Sequence, residues 1–345
     1  MIDRFIRSDL PGGAPFTVSQ KPYRAKMDQN ESPFDLPAGV KAAIMDELRD
    51  TAWNRYPQPA AYQEAKRRAA LALGVAPEQL AITVGCDQAI QGAHWLAGGC
   101  GRSAVVFEPT YPMLYHAALL AGTSVTRVMA GPAYDIDPSS FDGHDLILIA
   151  APNNPTGGLP SPKLIDNALG HNALVMIDEA YYDISGVTYT HLLADHPNLY
   201  IGRSCSKSLL AGMRLGFALG HPTLITALEN LLTAPYHLST MQLILASHYG
   251  SIRPHVEECT RCIRAERTRL ATALKDLGIK VYPSAANFIM FEMDKPGAAF
   301  ETLADRGIRL RNLTQLRGLE RHLRVTVAAR EENDLFLETL RELLD

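Results

Sequence analysis

The chain has 345 residues, is 47% hydrophobic and 20% charged, and carries a formal net charge of −4, which gives no electrostatic bias toward nucleic acid or a membrane surface. Its length is enough for two cores, and no apolar run approaches the roughly 20 residues of a membrane span. An acid at Asp3 with no apolar segment after it argues against a secretory signal, and an odd count of five cysteines predicts reduced thiols in the cytoplasm.

The first 40 or so residues are rich in Pro and Gly, lack periodicity and read as an arm lying across another surface. Asn54-Arg55-Tyr56-Pro57 comes next and, alone, is a packed turn. From about residue 80 to 220, short apolar runs alternate with amphipathic stretches. The strands expected are Leu80–Val84, Ala104–Phe107, Leu146–Ala150, Leu174–Ile177, Leu199–Gly202 and Gly216–Leu219, with helices such as Asp87–Leu96 and Pro112–Leu120 between them. This alternation predicts an α/β fold, a mostly parallel sheet with helices on both faces. Ligands then bind at the carboxyl ends of the strands.

After about residue 235 the character changes. A helical region from Ser239 to Leu277 precedes the strand-like Lys280–Tyr282, Phe288–Glu292 and Leu323–Val327 and a final charged helix. These predict a smaller α+β domain. The expected division is 1–45 as arm and part of the small domain, 46–238 as the large domain, and 239–345 as the small one. Cys259 and Cys262 have redox or zinc spacing, but no second pair accompanies them and they lie inside the charged helix. They read as helix cysteines, and no metal site is expected.

The residues after each strand carry the chemistry. Gly85-Cys86-Asp87-Gln88 opens a helix whose free N–H groups and dipole suit a phosphate, although Asp87 is equally suited to cap that helix. Tyr111, in Glu108-Pro109-Thr110-Tyr111-Pro112, can stack on a planar ring or pack in the core. Pro152-Asn153-Asn154-Pro155-Thr156-Gly157 fixes a turn and aims a side-chain amide outward. Asp178 ends a wholly apolar strand, where a carboxylate needs a cationic partner. A protonated pyridine nitrogen is such a partner, and Tyr181 could reach that ring's phenolic oxygen. Finally, Lys207 sits in Arg203-Ser204-Cys205-Ser206-Lys207 with Arg214 downstream. A lysine framed by hydroxyls and an arginine suits a phosphate-bearing aldehyde cofactor held as a Schiff base.

In this set and order, the chain resembles the pyridoxal-phosphate enzymes of the aspartate aminotransferase type (fold type I), and among them is most similar to the histidinol-phosphate aminotransferases. The likeness runs from Asn30-Glu31 to Arg324. It includes Asn54-Arg55-Tyr56-Pro57, Ala234-Pro235-Tyr236-His237-Leu238-Ser239, Ala286-Asn287-Phe288 and Leu323-Arg324-Val325-Thr326-Val327. The resemblance implies pyridoxal 5'-phosphate bound to Lys207, with Asp178 on the ring nitrogen, Asn154 and Tyr181 on the phenolic oxygen and Tyr111 stacked on the ring. It implies a phosphate held by backbone around Cys86 and Asp87, by Ser204, Ser206 and Arg214, and by Tyr56 from a second subunit, hence a homodimer with shared active sites. Arg324 would clamp the substrate carboxylate, or the phosphate of an amino alcohol phosphate. Arg311 would take a distal anion, and Asn30 would lie on the substrate side.

The implied reaction is ping-pong transfer of an amino group between an amino acid or amino alcohol phosphate and a 2-oxo acid such as 2-oxoglutarate. The same cofactor contacts would also serve a decarboxylase, eliminase or cyclase. The chain departs from the family pattern in three places. The Lys207-to-Arg214 interval is seven residues where the family usually has eight. Pro15-Phe16 stands where Pro-Tyr is frequent, with Tyr23 as a possible substitute. His237 replaces a common proline.

Overall fold

A computed structural model describes Phe5, residues 21–131 and residues 134–344; the Pro15-Phe16 expectation lies outside them. In chain order, β1 (Ala25–Lys26), α1 (Ala38–Asp50) and α2 (Pro59–Leu73) precede β2 (Leu80–Thr83), α3 (Gly85–Ala97), β3 (Ser103–Glu108), α4 (Met113–Ala121) and β4 (Ser124–Met129). Next come β5 (Leu146–Ala150), α5 (Pro162–Leu169), β6 (Leu174–Asp178), α6 (Tyr182–Ser185), β7 (Leu199–Ser204), β8 (Gly216–Gly220) and α7 (Pro222–Leu232). The chain continues with α8 (Thr240–Ser247), α9 (Tyr249–Asp276), β9 (Phe288–Glu292), α10 (Pro296–Asp305), β10 (Ile308–Arg309), β11 (Arg311–Asn312), β12 (His322–Thr326) and α11 (Arg330–Leu344).

The large sheet has seven strands in the order β2-β8-β7-β6-β5-β3-β4. From β7 to β4 every pairing is parallel, and β8 runs against both of its neighbours. The period-two rule sorts its side chains. Ile147, Ile149, Val175, Ile177 and Ile201 pack toward α2, α5 and α8. Leu146, Leu148, Leu174, Met176 and Tyr200 pack toward α3, α4 and α7. Both faces are therefore covered, and each fully buried aliphatic side chain contributes about 1.5–3 kcal/mol.

The second core surrounds the three-stranded sheet β11-β12-β9. Ile289, Phe291, Leu323 and Val325 pack there against Leu270 and Leu274 of α9 and Phe336 of α11. Ala25 and Met27 belong to this core, and β1 pairs in parallel with β10. That anchoring carries the next residues, Asp28 to Asn30, toward the strand tips of the large sheet.

The six strands expected in the large sheet are present with ends shifted by at most two residues, and β5 coincides with its expected span. Several features differ from expectation, among them the short strands β1, β10 and β11. β4 is an unforeseen edge strand, half of its residues exposed and none buried, and Arg127 interrupts it, so it lacks an apolar run. The helical region breaks at His248 (φ −87°, ψ 1°) into α8 and α9. Lys280–Tyr282 forms only a bridge, Val281 to Phe291. Helix α10 was also not expected; a proline at its first position starts it. No helix among the described residues is long and apolar enough to cross a membrane.

Candidate active site

The carboxyl ends of β3, β5, β6 and β7 converge with the first turn of α3 and with residues 28–30. At one pole, α3 begins at Gly85 without any side-chain cap, whereas Ser161 and Ser239 cap α5 and α8. The first amides of α3 are therefore open to an anion. Asp87 does not cap its helix. Its carboxylate accepts from the Tyr111 hydroxyl at 3.0 Å and from Arg214 Nη2 at 3.1 Å. Arg214 Nη1 also reaches Ser206 Oγ at 3.3 Å, and Ser204 Oγ accepts from the Ser206 amide at 3.2 Å.

The short Lys207-to-Arg214 interval is spanned by a 3-10 turn, Ala211–Met213, after which Arg214 takes a left-handed conformation (φ 53°, ψ 42°). Gln242 secures it by donating to its carbonyl at 2.8 Å. Gly85 is needed opposite: its φ is +72°, and a Cβ there would stand 2.9 Å from Arg214 Nη2.

At the centre, Asp178 is 5% exposed. Its Oδ1 accepts from the Ala180 amide at 2.9 Å and from Cys86 Sγ at 3.3 Å. Burial pushes its pKa up to about 6, against the lowering effect of these donors. Behind it Glu179 is fully buried, paired with Arg203 at 3.0 Å and held by Thr188 and the Tyr189 amide.

At the opposite pole the paired asparagines divide their work. Asn153 builds the loop, binding the Pro109 carbonyl and Thr156 at 2.9 Å each and accepting from Thr110 at 2.8 Å. Asn154 faces the site, and its Oδ1 accepts from Arg324 Nη1. Gly157, at φ +78°, lies so close to Ser284 that a Cβ would stand 2.4 Å from its Oγ.

Tyr181 OH accepts from Asn30 Nδ2 at 2.8 Å, and the Tyr181 ring packs edge-on against Phe288. Burial pushes its phenol up to about 12. Asn30, at φ 56°, exchanges hydrogen bonds with Thr326, and Asn287 donates to its carbonyl at 3.0 Å. Arg324 is buried over the Phe288 ring, with Nη2 donating to the Asp28 carbonyl at 2.7 Å and Nε without a partner among the described residues. Burial lowers its pKa to about 10. Arg311 is its exposed cross-strand neighbour.

Lys207 lies between the poles and donates to the Gln29 carbonyl at 3.2 Å. Burial first, then the charge of Arg324, lowers its pKa to about 8. The structure thus gathers Cys86, Asp87, Tyr111, Asn154, Asp178, Tyr181, Ser204, Ser206, Lys207, Arg214, Asn30, Arg324 and Arg311 around one region. Tyr56 stands apart, 77% exposed and edge-on to Tyr236. His237 also stands apart, with Nε2 on the Ile82 carbonyl at 3.0 Å, where it covers the edge strand β2. Cys259 is half-buried and Cys262 exposed, one turn apart on α9.

The sequence had not pointed to the Cys86 thiol as an Asp178 donor, to the Gln29 and Asp28 carbonyls, or to Gln242 behind Arg214. The bonds from Asn287 and Thr326 to Asn30 cross 257 and 296 residues, and no local signal encodes them.

These groups fit pyridoxal phosphate. The uncapped helix start, the Ser206 hydroxyl and the Arg214 fork match its phosphate, and the Asp178 carboxylate matches its cationic ring nitrogen. Two donors suit its phenolic oxygen. With Oδ1 of Asn154 taken by Arg324 and the Tyr181 oxygen accepting from Asn30, the Asn154 amide hydrogens and the Tyr181 hydroxyl proton have no acceptor among the described residues.

Comparison with known proteins agrees. Residues 25–340 match the family profile of Aminotransferase class I and II. The histidinol-phosphate aminotransferase of Thermoanaerobacter pseudethanolicus is 32% identical over the whole of both chains. The histidinol-phosphate aminotransferase of Sinorhizobium meliloti, solved in complex with pyridoxal-5'-phosphate, superposes with a TM-score of 0.82 at 25% identity, covering 93% of this chain and 91% of that one. The Clostridium acetobutylicum histidinol-phosphate aminotransferase has the same fold, with a TM-score of 0.85 at 20% identity over 93% of this chain and 99% of that one. The chain belongs to the aminotransferase class I and II family and is a pyridoxal-phosphate-dependent aminotransferase of fold type I.

Proposed function

We propose that this aminotransferase takes its amino group from histidinol phosphate or a related amino acid and passes it to a 2-oxo acid such as 2-oxoglutarate. The observation that carries this reading is the cross-strand pairing of Arg324 with Arg311 beside Asn154 and Tyr181. Two adjacent cations suit a donor with an anionic group at each end, or one phosphate. Relatives of matching length that bear the histidinol-phosphate name support it.

When bound, pyridoxal phosphate supplies a carbonyl carbon for the amino group and a cationic ring that takes up the electron pair left by the α-proton. The chain's residues would do the rest. Asp178 holds the ring nitrogen protonated; Asn154 and Tyr181 donate to the phenolic oxygen; Tyr111 covers the ring. Backbone at Cys86 and Asp87, with Ser204, Ser206 and Arg214, holds the phosphate. Lys207, with its ammonium disfavoured by burial, offers a neutral Nζ that takes the substrate's α-proton and returns it. Arg324 clamps the carboxylate or phosphate, Arg311 takes a distal anion, and Asn30 lines the substrate side.

The reading includes a homodimer in which Tyr56 reaches the partner's phosphate, a cytoplasmic location, and the division into 1–45, 46–238 and 239–345. The test is a panel of histidinol phosphate, glutamate and aromatic amino acids, read by the change in cofactor absorbance. Conversion by histidinol phosphate with the highest kcat/KM is expected, and failure of that donor alone would remove it as substrate.

A further inference from the structure

Cys86 occupies the second position of α3, yet its side chain neither caps the helix nor faces the helix layer alone. It turns to the tip of β6 and meets Asp178 Oδ1 at 3.3 Å. The Ala180 amide holds the same oxygen at 2.9 Å, and Oδ2 has no hydrogen bond among the described residues. The sheet leaves room for this thiol. Gly202 of the adjacent strand β7 lies under it, and a Cβ there would stand 2.8 Å from Cys86 Sγ and 2.9 Å from Met176 Cε. Burial and then the Asp178 charge push the thiol pKa well up, so Cys86 remains an S–H donor. The other charges bearing on Asp178 are Asp87 and Lys207, of opposite sign.

We propose that Cys86 is a positioning residue whose thiol pins one oxygen of Asp178, leaving the other free to meet the cofactor's ring nitrogen. The proposal rests on the reading that Asp178 pairs with that nitrogen. A carboxylate at a strand tip can rotate about its last bond, and a single backbone donor does not fix both the rotation and the tilt. Two donors on one oxygen, arriving from α3 and from the β6–α6 turn, do. The thiol also favours the ionised carboxylate that burial alone would disfavour.

The experiment is a double-mutant cycle on cofactor affinity, measured by titrating the cofactor-free full chain with pyridoxal phosphate. C86A removes the donor and should weaken binding roughly tenfold, the size of one lost hydrogen bond to a charged group. C86S keeps a donor and should stay within about threefold of wild type. In a D178N background C86A should have less than a twofold effect, because the interaction it removes is already gone. An undiminished C86A effect in D178N, or a serine variant as weak as the alanine one, would reduce Cys86 to packing and overturn the proposal. So would C86A binding like wild type while D178N is weakened. If D178N itself binds the cofactor as wild type does, the assignment of Asp178 fails, and the proposal fails with it for that separate reason.

Discussion

Replacing Arg324 tests the substrate pole most directly. Its Nη1 donates to Asn154, its Nη2 donates to the Asp28 carbonyl at 2.7 Å, and its Nε is buried without a partner among the described residues. A carboxylate arriving there exchanges neutral acceptors for an anion on a fork that is already desolvated. Each charge-assisted hydrogen bond is worth about 1.5–3 kcal/mol. Losing two in R324A should therefore cost about 3–6 kcal/mol, or roughly 10²–10⁴-fold in kcat/KM at ~1.36 kcal/mol per decade. R324K keeps the charge without the planar fork and should lose roughly 10–100-fold. The assay is the single-turnover change in cofactor absorbance on mixing with glutamate, with donor concentration varied so that kcat and KM separate. R311A, on the exposed neighbouring strand, should lose roughly tenfold with histidinol phosphate and glutamate while sparing an aromatic donor. R324A within threefold of wild type for every donor would refute the clamp.

Cofactor capture by the cofactor-free protein should speed up with pH and level off above about 8, as Lys207 loses its proton. The neutral amine is the reactive form, so R324A, which removes the like charge, should move that midpoint to higher pH; a wild-type midpoint near 10.5, the ordinary lysine value, would contradict the burial argument. R203A should destabilise the fold by about 3–5 kcal/mol in urea unfolding, because it strands the buried Glu179 carboxylate, and the E179Q/R203A pair should recover part of that loss. G85A should weaken cofactor binding roughly tenfold, since its Cβ would push Arg214 off the phosphate pole at an already left-handed φ. Mixed subunits check the shared site: Y56A and K207A chains, each feeble alone, should regain activity when exchanged, because one site of the hybrid then has both residues. No regain would argue against Tyr56 acting across an interface.

The large sheet was legible because its strands are buried on both faces and read as apolar runs bounded by turns, so their tips were legible too. Asn154, Asp178, Tyr181 and Lys207 were found as the polar residues that follow such runs. β4 was not, because an edge strand with Arg127 in it has no apolar signature. For Asp87, sequence left two roles open, helix cap or neighbour of a phosphate site, and the bonds to Tyr111 and Arg214 exclude the cap. The contribution of residues 28–30 was hardest to foresee. Main-chain carbonyls have no residue-type signature, and the partners of Asn30 lie at the far end of the chain.

That hidden segment explains how two cations can sit at one site without being neutralised. Lys207 and Arg324 each donate to the carbonyl of an adjacent arm residue, Gln29 and Asp28. A carbonyl orients an ammonium or guanidinium but carries no full charge, so it raises the lysine pKa far less than a carboxylate at the same distance would. The Asp28 side chain is buried, its Oδ1 3.8 Å from Lys26 Nζ and without a hydrogen bond among the described residues, while Lys207 donates to the Gln29 carbonyl. Had that carboxylate reached Lys207, the amine would hold its proton to higher pH and would serve less well as a base. By presenting backbone instead, the arm holds the lysine in place with a bond that carries no full charge, and burial and the Arg324 charge outweigh the raising effect of Asp87 and Glu31. Among the described residues it also leaves Arg324 with only neutral acceptors, which an anionic substrate can displace.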